Sequence, residues 1–397
     1  SGGSVAKKTV NILGRGREIE KLEKEIKESK EKLEKLTKEK EDYENSMEDI
    51  VEESESYERQ LQDIEIYYAT EKEKINAIND NINRIESRLK KLREEAVNRL
   101  FATNGFNSVW STWQGVIHQY ASSPTPRQLI NLGDHLKDIF YSTNTNSGRT
   151  QSDVSGGGAN WEALVCWYLN LCCIGRRTVV IKHHKSLIPT PISNAITVNY
   201  GNFPSNTESD LIAITFPDKP EYSMDKDNIV INDENDIPVK LYNRNKYNTL
   251  NVLNALVARD FSGIEIHIIQ CKTNWNDNAQ IPMLWDMIYS STAFRADITI
   301  GREGYNMNNA RLFSYAFATV PTVKPEKITR SSVCVSRVRN LSGGNYWGRP
   351  SEDGVASSIK EMLNRNLATG SSLSHLDTLS LAIPKLSSKG IYSYFNF

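Results

Sequence analysis

The chain has 397 residues, of which 39% are hydrophobic and 24% are charged, and its formal net charge is −1. No stretch approaches the roughly 20 consecutive apolar residues of a membrane-spanning helix, and no secretory signal is visible, so a soluble protein without a membrane partner is predicted. The five cysteines favour buried thiols in a reducing cytoplasm over a disulfide framework, and the absence of a Cys-x-x-Cys pair argues against zinc.

The N-terminal part of the sequence has the composition of a long helix. Residues 1–15 are interpreted as a cloning remnant, Ser1-Gly2-Gly3-Ser4, and an N-terminal arm. Residues 16–104 contain no Pro and no Gly beyond the first position, and they are rich in Glu, Lys, Ile and Leu. With Ile19 at heptad position a, the a and d columns stay in one frame through residues 19–99. This repeat predicts a left-handed coiled coil, a rod of roughly 115 Å.

The unbroken frame also predicts how the helix pairs. A chain that folds back on itself normally leaves a Gly, a Pro or a frame shift at its turn, and none is present. We therefore expect a continuous helix that forms a parallel homodimer through residues 19–99, with a helical hairpin as the alternative. Parallel pairing would place two C-terminal domains at the same end of the rod.

The remaining sequence is predicted to contain a helical linker region, 105–158, and an α/β domain, 159–397, with a polar insertion at 217–248. Helical and strand patterns alternate after residue 159, which is typical of α/β organisation. The predicted helices are 106–120, 127–142, 246–257, 280–290 and 350–368, with a polar linker at 143–158. The predicted strands are 178–181, 196–200, 211–216, 264–269, 297–300, 313–319 and 332–338.

Two of these strands carry polar residues at one end whose types suit phosphodiester hydrolysis. Asp210 precedes one strand, and Gln270-Cys271-Lys272 closes another. Residues two apart share a strand face, so Gln270 and Lys272 project together. Mg²⁺, or Mn²⁺ in its place, prefers oxygen ligands, and Asp210, the Gln270 side chain and the Cys271 backbone carbonyl could supply them. Lys272 would orient or help to deprotonate the attacking water.

This arrangement resembles the PD-(D/E)XK nuclease superfamily, in the subgroup whose second half-motif is Gln-x-Lys. That subgroup includes restriction-type, Mrr-like and antiviral defence nucleases. The family often carries a glutamate on the helix before its core sheet, and Glu162, in the first turn of an apolar helix, is the candidate. The resemblance covers roughly residues 159–301. It implies a restriction-endonuclease-like mixed sheet flanked by helices, with Glu162, Asp210, Gln270 and Lys272 as catalytic residues.

The sequence also departs from the family pattern. Ser209 stands in place of the name-giving proline, and Gln270 in place of an acid, which removes one negative charge from the site. Gln270 lies 60 positions after Asp210, a long separation for this fold that the insertion explains. Each residue has a plainer interpretation: a turn cap for Asp210, a sheet-edge lysine for Lys272, a first-turn acid for Glu162 and a hydrogen-bonded strand end for Gln270.

The charge is unevenly distributed, which bears on nucleic-acid binding. Residues 15–100 carry 19 basic and 25 acidic residues, whereas residues 101–397 carry 27 basic and 24 acidic ones. One basic group spans residues 176–185. A second lies around a glycine-rich segment, where phosphate, base-edge and stacking contacts are predicted for Arg337, Arg339, Asn345, Trp347 and Arg349. A structural loop anchored in the core by its tryptophan is the alternative.

Together these features predict a Mg²⁺-dependent endonuclease that hydrolyses DNA, with RNA as an alternative substrate. It would be of restriction or antiviral-defence type, cytoplasmic, and dimeric through its coiled coil. The alternative is a non-catalytic coiled-coil adaptor or scaffold whose nuclease-like head binds nucleic acid or a partner protein. A third possibility is a partner subunit of a defence complex that is active only when assembled.

Overall fold

A computed structural model describes most of the chain. It excludes residues 1–15, 50–52, 144–150, 206–209, 224–230, 234, 274, 276–278, 292–296, 322–323, 370, 372, 381 and 387–389. The predicted cloning remnant and arm, and Ser209, lie outside the described residues.

The N-terminal helical region is a hairpin and not a continuous rod. Helix α1 spans Gly16–Asp49 and helix α2 spans Ser54–Phe101. Lys40 of α1 forms an ion pair with Glu65 of α2, with Nζ and Oε1 3.1 Å apart. In one straight helix, residues this far apart in sequence would be separated by roughly 37 Å. The prediction of a continuous helix is therefore wrong, and the alternative of a hairpin is correct.

The apolar columns of the coiled coil are buried within the chain itself. Ile19, Ile26 and Leu33, all in the a column, are buried, and the first two belong to the main hydrophobic core. A partner helix in the same chain needs no association with a second molecule and so avoids the entropy lost on binding. Dimerisation through residues 19–99 stays a prediction, but burial of these side chains does not require it.

The C-terminal half of α2 packs along the edge of the central sheet. Arg93 is fully buried and donates hydrogen bonds to the carbonyls of Thr178 at 2.8 Å and Arg176 at 2.9 Å. These carbonyls lie at the start of strand β1 (Thr178–Lys182), which is the first strand of the sheet. The helix thereby supplies donors to an edge strand that, within the described part of the chain, has no neighbouring strand on that side.

We expect Arg93→Met to destabilise the protein by about 2–3 kcal/mol, because two buried carbonyls lose their donors. Urea unfolding of the variant measures this change. Arg99→Met, at an exposed position of the same helix, is the matched control and should change the free energy of unfolding by less than about 0.5 kcal/mol. Equal stabilities of the two variants would show that Arg93 does not hold the sheet edge.

The predicted linker region 105–158 belongs to the body of the protein. Helix α3 (Asn104–Tyr120) places Trp110 against Trp167, with ring centroids 5.0 Å apart. The predicted helix 127–142 is three short pieces: α4 (Pro126–Asn131), a 3-10 turn (Leu132–Asp134) and α5 (Leu136–Tyr141). Helix α6 spans Gln151–Cys172, so the predicted linker is helical from Gln151 onward, and its residues 144–150 lie outside the description.

The central sheet is mixed, as predicted, and has six strands in the order β1-β4-β7-β9-β10-β11. Strand β4 is antiparallel to both of its neighbours, β1 and β7, and the remaining pairings are parallel. Helices flank the sheet, which gives an α/β fold. Besides β1, the strands are β4 (Leu211–Thr215), β7 (Glu265–Lys272), β9 (Leu312–Thr319), β10 (Gly344–Trp347) and β11 (Ser357–Ser358).

Some predicted strands have other structures. Residues 332–338 form helix α11 (Val333–Val338), because a short apolar run fits either a buried strand or a buried helix. Residues 196–200 are the end of a helix followed by β2, in a small sheet of order β3-β2-β8. That sheet comprises β2 (Val198–Tyr200), β3 (Phe203–Ser205) and β8 (Ile298–Ile300), and a hairpin inside the insertion comprises β5 (Tyr242–Asn243) and β6 (Lys246–Tyr247).

The other helices complete the two layers on the sheet. Predicted helix 280–290 is confirmed, whereas predicted helices 246–257 and 350–368 are shorter or shifted. No helix among the described residues combines the length and the apolar character needed to cross a membrane. The helices are α7 (Thr190–Ile196), α8 (Pro220–Ser223), α9 (Thr249–Arg259), α10 (Gln280–Ser290), α12 (Ile359–Arg365), α13 (His375–Ser380) and α14 (Ile383–Leu386).

Candidate functional site

Polar residues from three neighbouring strands meet at one edge of the sheet. Strand β1 ends at Lys182, antiparallel β4 begins just after Asp210, and β7 ends at Lys272. The pairing places these three strand ends side by side, because Lys182 is opposite Leu211 and Leu211 is opposite Ile269. The sequence placed Asp210 and Lys272 at strand ends, and the strand order brings those ends together.

Asp210 is anchored by the backbone of β7. Its Oδ2 accepts a hydrogen bond of 2.7 Å from the Cys271 N–H, and its backbone carbonyl accepts one of 3.0 Å from the His183 N–H. In an antiparallel ladder the N–H and C=O of one residue point to the same neighbour. The Cys271 carbonyl therefore faces the same side of β7 as the Asp210 carboxyl, as a shared metal ligand would need.

Glu162 reaches this edge from α6, which packs against one face of the sheet. A side-chain hydrogen bond joins Glu162 and Asp210. The Lys182 Nζ lies 3.8 Å from the Glu162 Oε2, with only 29% and 21% of the two side chains exposed. Lys272 acts electrostatically on both carboxyl groups. Glu162, Asp210 and Lys272, predicted from distant parts of the sequence, thus lie in one cluster.

The environment of the two carboxyl groups keeps a proton on them. Burial, followed by the negative charge of Glu162, raises the pKa of Asp210 to about 8, and the Cys271 N–H and Lys272 only partly oppose this. Burial also raises the pKa of Glu162, against which the Lys182 ammonium acts. The hydrogen bond between the two groups opposes the rise in the pKa of Glu162 and adds to the rise in the pKa of Asp210, so the two carboxyl groups titrate as a coupled pair.

Lys182 was missed as a site residue by sequence reasoning. It appeared there only within a run of basic residues, and an isolated strand-end lysine carries no chemical meaning by itself. Its position directly after the apolar run of β1 was the available signal. Recognising it required knowledge that β1 pairs with β4, which the sequence does not state.

Gln270 is placed differently from the prediction of a metal ligand. Its side chain is fully buried, and its Oε1 accepts a hydrogen bond of 2.8 Å from the Tyr315 hydroxyl on the neighbouring strand β9. That oxygen has a protein donor within the core. The structure therefore favours the plainer interpretation, in which Gln270 is a hydrogen-bonded polar residue near a strand end.

The donors at this edge fit a hard cation better than zinc. Among the described residues, no group of three or more His, Cys, Asp and Glu side chains is arranged to hold a metal ion. The protein offers the Asp210 and Glu162 carboxyl groups and the Cys271 carbonyl. Mg²⁺ commonly takes one or two carboxylates and fills its remaining positions with water and substrate phosphate. Two half-buried carboxyl groups joined by a hydrogen bond are a suitable acceptor for such an ion.

The predicted nucleic-acid contacts at 337–349 are largely structural. The Trp347 ring is fully buried against Trp275, so the prediction that it stacks on a base is wrong for this conformation. The Asn345 amide donates to the Val338 carbonyl at 3.1 Å, which occupies the group predicted to contact a base edge. The alternative is right that the tryptophan anchors the segment in the core, but residues 344–347 form strand β10 and not a loop.

Two of the three arginines of the same segment have protein partners. The Arg349 guanidinium lies over the Trp347 ring, 4.9 Å from its centroid, and Arg339 donates to the Arg330 carbonyl. Arg337 is half-buried in the last turn of α11. Phosphate contacts by these three residues stay a prediction.

Comparison of the sequence with protein-family models and with curated proteins returned no match.

Proposed function

We propose that the protein is a Mg²⁺-dependent endonuclease that hydrolyses DNA phosphodiester bonds, of restriction or antiviral-defence type. The observation that carries this proposal is the pair of half-buried, hydrogen-bonded carboxyl groups beside Lys272 at the sheet edge. Burying two acids in contact costs folding free energy, and such costs concentrate where a site must bind a charged ligand. The resemblance to PD-(D/E)XK nucleases assigns the same three positions to catalysis.

The residues divide the chemistry among them. Asp210, Glu162 and the Cys271 carbonyl would hold the cation, which when bound supplies a positive charge to the scissile phosphate and lowers the pKa of a coordinated water. Lys272 orients the attacking water and stabilises the negative charge that develops on the phosphate oxygens. Lys182 holds the Glu162 carboxylate in place through its ion pair. The Tyr315 hydroxyl fixes Gln270 behind this edge.

A non-catalytic adaptor is the second candidate, and the placement of Gln270 favours it. The resemblance assigns the Gln270 amide to the metal, whereas here its oxygen accepts a hydrogen bond from Tyr315. A head that retained the sheet but lost metal chemistry could still bind nucleic acid or a partner protein. A subunit of a defence complex would behave in the same way until its partner is added.

A cleavage assay separates these functions. Supercoiled plasmid DNA and a structured RNA are incubated with the protein and Mg²⁺ or Mn²⁺, with EDTA as the control. We expect nicked and linear DNA to accumulate only with metal. Binding of either nucleic acid without cleavage in any metal would favour the adaptor, and cleavage that begins only on addition of a cellular fraction would identify a partner subunit.

A further inference from the structure

The basic group predicted at residues 176–185 is divided between the two ends of β1. Arg176, before the strand, is buried and donates to the Ala368 carbonyl at 2.6 Å, and Arg177 forms an ion pair with Asp218. These two arginines are part of the folded body. They lie at the end of β1 opposite the carboxyl pair, about 17 Å away for a strand of this length.

The remaining basic residues leave β1 at the end where the carboxyl pair lies. The His183 N–H donates to the Asp210 carbonyl at 3.0 Å, so the following turn begins beside the site. In that turn His184 is half-buried and Lys185 is exposed. Helix α2 runs along β1. Arg93 lies beside the start of the strand, and Arg99 lies beyond the end of the strand. Arg99 is likewise exposed and donates to the Ser186 hydroxyl at 2.8 Å.

The hydrogen bonds of this turn determine which groups face outward. The Ser186 N–H donates to His184 Nδ1 at 3.2 Å, and the Ser186 Oγ lies 2.6 Å from the same nitrogen. A guanidinium can only donate, so Oγ accepts from Arg99. Because the Ser186 N–H donates to Nδ1, that nitrogen has no proton of its own, and the hydroxyl proton of Oγ is the one in the 2.6 Å contact. Nδ1 is therefore an acceptor, and the proton of the neutral imidazole is on Nε2.

The surface of the turn consequently presents donors and positive charge. Arg99 has further guanidinium N–H groups, Lys185 has an ammonium, and His184 has its Nε2–H, whereas the Ser186 Oγ and the His184 Nδ1 are used within the turn. Glu95, one helical turn before Arg99, offsets part of this charge. Groups that donate and carry positive charge suit an anion, and a row of them suits the phosphates of a nucleic-acid strand.

We infer that the turn His183–Ser186, together with Arg99 of α2, binds the phosphate backbone of the DNA substrate and leads it to the carboxyl pair. The surface is continuous with the site through Lys182 and Asp210. This surface takes the nucleic-acid-binding role that was predicted from the sequence for residues 337–349. In that segment Trp347 packs against Trp275, and Asn345 donates to the Val338 carbonyl. The inference rests on the proposed function for its substrate, but it concerns binding and not cleavage.

The test measures DNA binding as a function of salt. The double variant Arg99→Gln, Lys185→Gln removes two positive charges at exposed positions. The matched control, Arg244→Gln with Lys246→Gln, removes two exposed charges from the β5–β6 hairpin, which belongs to the segment connecting the far ends of β4 and β7. Affinity for a labelled DNA duplex is measured by fluorescence anisotropy, with Ca²⁺ in place of Mg²⁺ to prevent cleavage.

We expect the double variant to bind DNA about 10- to 100-fold more weakly near 0.1 M salt. Its plot of log affinity against log salt concentration should be less steep by about 1.8, because each phosphate contact contributes about 0.9. The control variant should keep the wild-type affinity and slope. A general loss of structure would not reproduce this change in slope, and circular dichroism of both variants checks their fold.

Wild-type affinity and slope in the double variant would overturn the inference, as would an equal loss in the control. A loss confined to an Arg337→Gln, Arg339→Gln variant would also overturn it and would return the binding role to that segment. If the wild-type protein binds the duplex through this turn but does not cleave it with Mg²⁺, the proposed function is contradicted and the inference about binding still holds. Absence of any DNA binding by the wild-type protein would contradict both.

Discussion

Replacement of Asp210 by asparagine is expected to lower metal-dependent DNA cleavage at least about 10³-fold and, without metal, to raise the stability of the protein. The asparagine carbonyl can still accept the Cys271 N–H, so the local backbone is preserved. The variant loses a negatively charged metal ligand, which removes charge stabilisation from the transition state. Cleavage is measured on plasmid DNA with Mg²⁺, and stability by urea unfolding in EDTA.

The gain in stability has a definite dependence on pH. The pKa of Asp210 is about 8 in the folded protein, whereas an aspartate in an unfolded chain titrates near 4. Between these values the folded state binds more protons, so this group makes the wild-type protein less stable as pH rises. The advantage of Asp210→Asn should therefore grow from about pH 4 to about pH 8, where we expect about 1–3 kcal/mol, and then level off.

Asp218→Asn provides the matched control. This carboxylate lies beyond the other end of β4 and is 77% exposed, so its removal should leave cleavage unchanged and alter stability by less than about 0.5 kcal/mol. Addition of Mg²⁺ should raise the free energy of unfolding of the wild-type protein more than that of Asp210→Asn, because only the wild-type site binds the ion well. Cleavage by Asp210→Asn at the wild-type rate would remove Asp210 from the mechanism.

Replacement of Lys272 by methionine is expected to lower the cleavage rate about 10²- to 10⁴-fold while metal binding persists. Methionine keeps the length of the side chain and removes the ammonium that orients water and stabilises the developing charge. The rate is measured in single turnover with saturating protein, and metal binding by titration calorimetry with Ca²⁺. Lys272→Arg should restore little activity, because a planar guanidinium does not replace a compact ammonium.

Lys246→Met is the control for Lys272→Met, since it removes an exposed lysine from the segment that joins the far ends of β4 and β7. It should cleave at the wild-type rate. If Lys272→Met retains both cleavage and metal binding, the lysine is a sheet-edge residue as in the plainer interpretation. If it loses metal binding as well, its role is to maintain the site and not to act on the water.

The candidate site was partly predictable because strand ends are visible in the sequence. Apolar runs place Asp210 and Lys272 at the ends of buried segments, and the apolar run that follows Glu162 places that residue on a helix. The prediction that Glu162 lies in the first turn is wrong, because α6 begins at Gln151 and includes the three glycines before Glu162. The partners of these residues were not visible. Lys182 joins the site only because β1 lies next to β4, and the Gln270 amide meets Tyr315 only because β9 lies next to β7.

The heptad columns determine that residues 19–99 form helices with an apolar stripe, and the composition of residues 159–397 determines an α/β sheet. Periodicity specifies which side chains must be buried, but it contains no information about what covers them. The tertiary structure decided that the stripe of α1 is covered by α2 and the body, and that Trp347 is covered by Trp275 and not by a base. Both outcomes follow from contacts between distant segments, whose geometry depends on the packing of the whole chain.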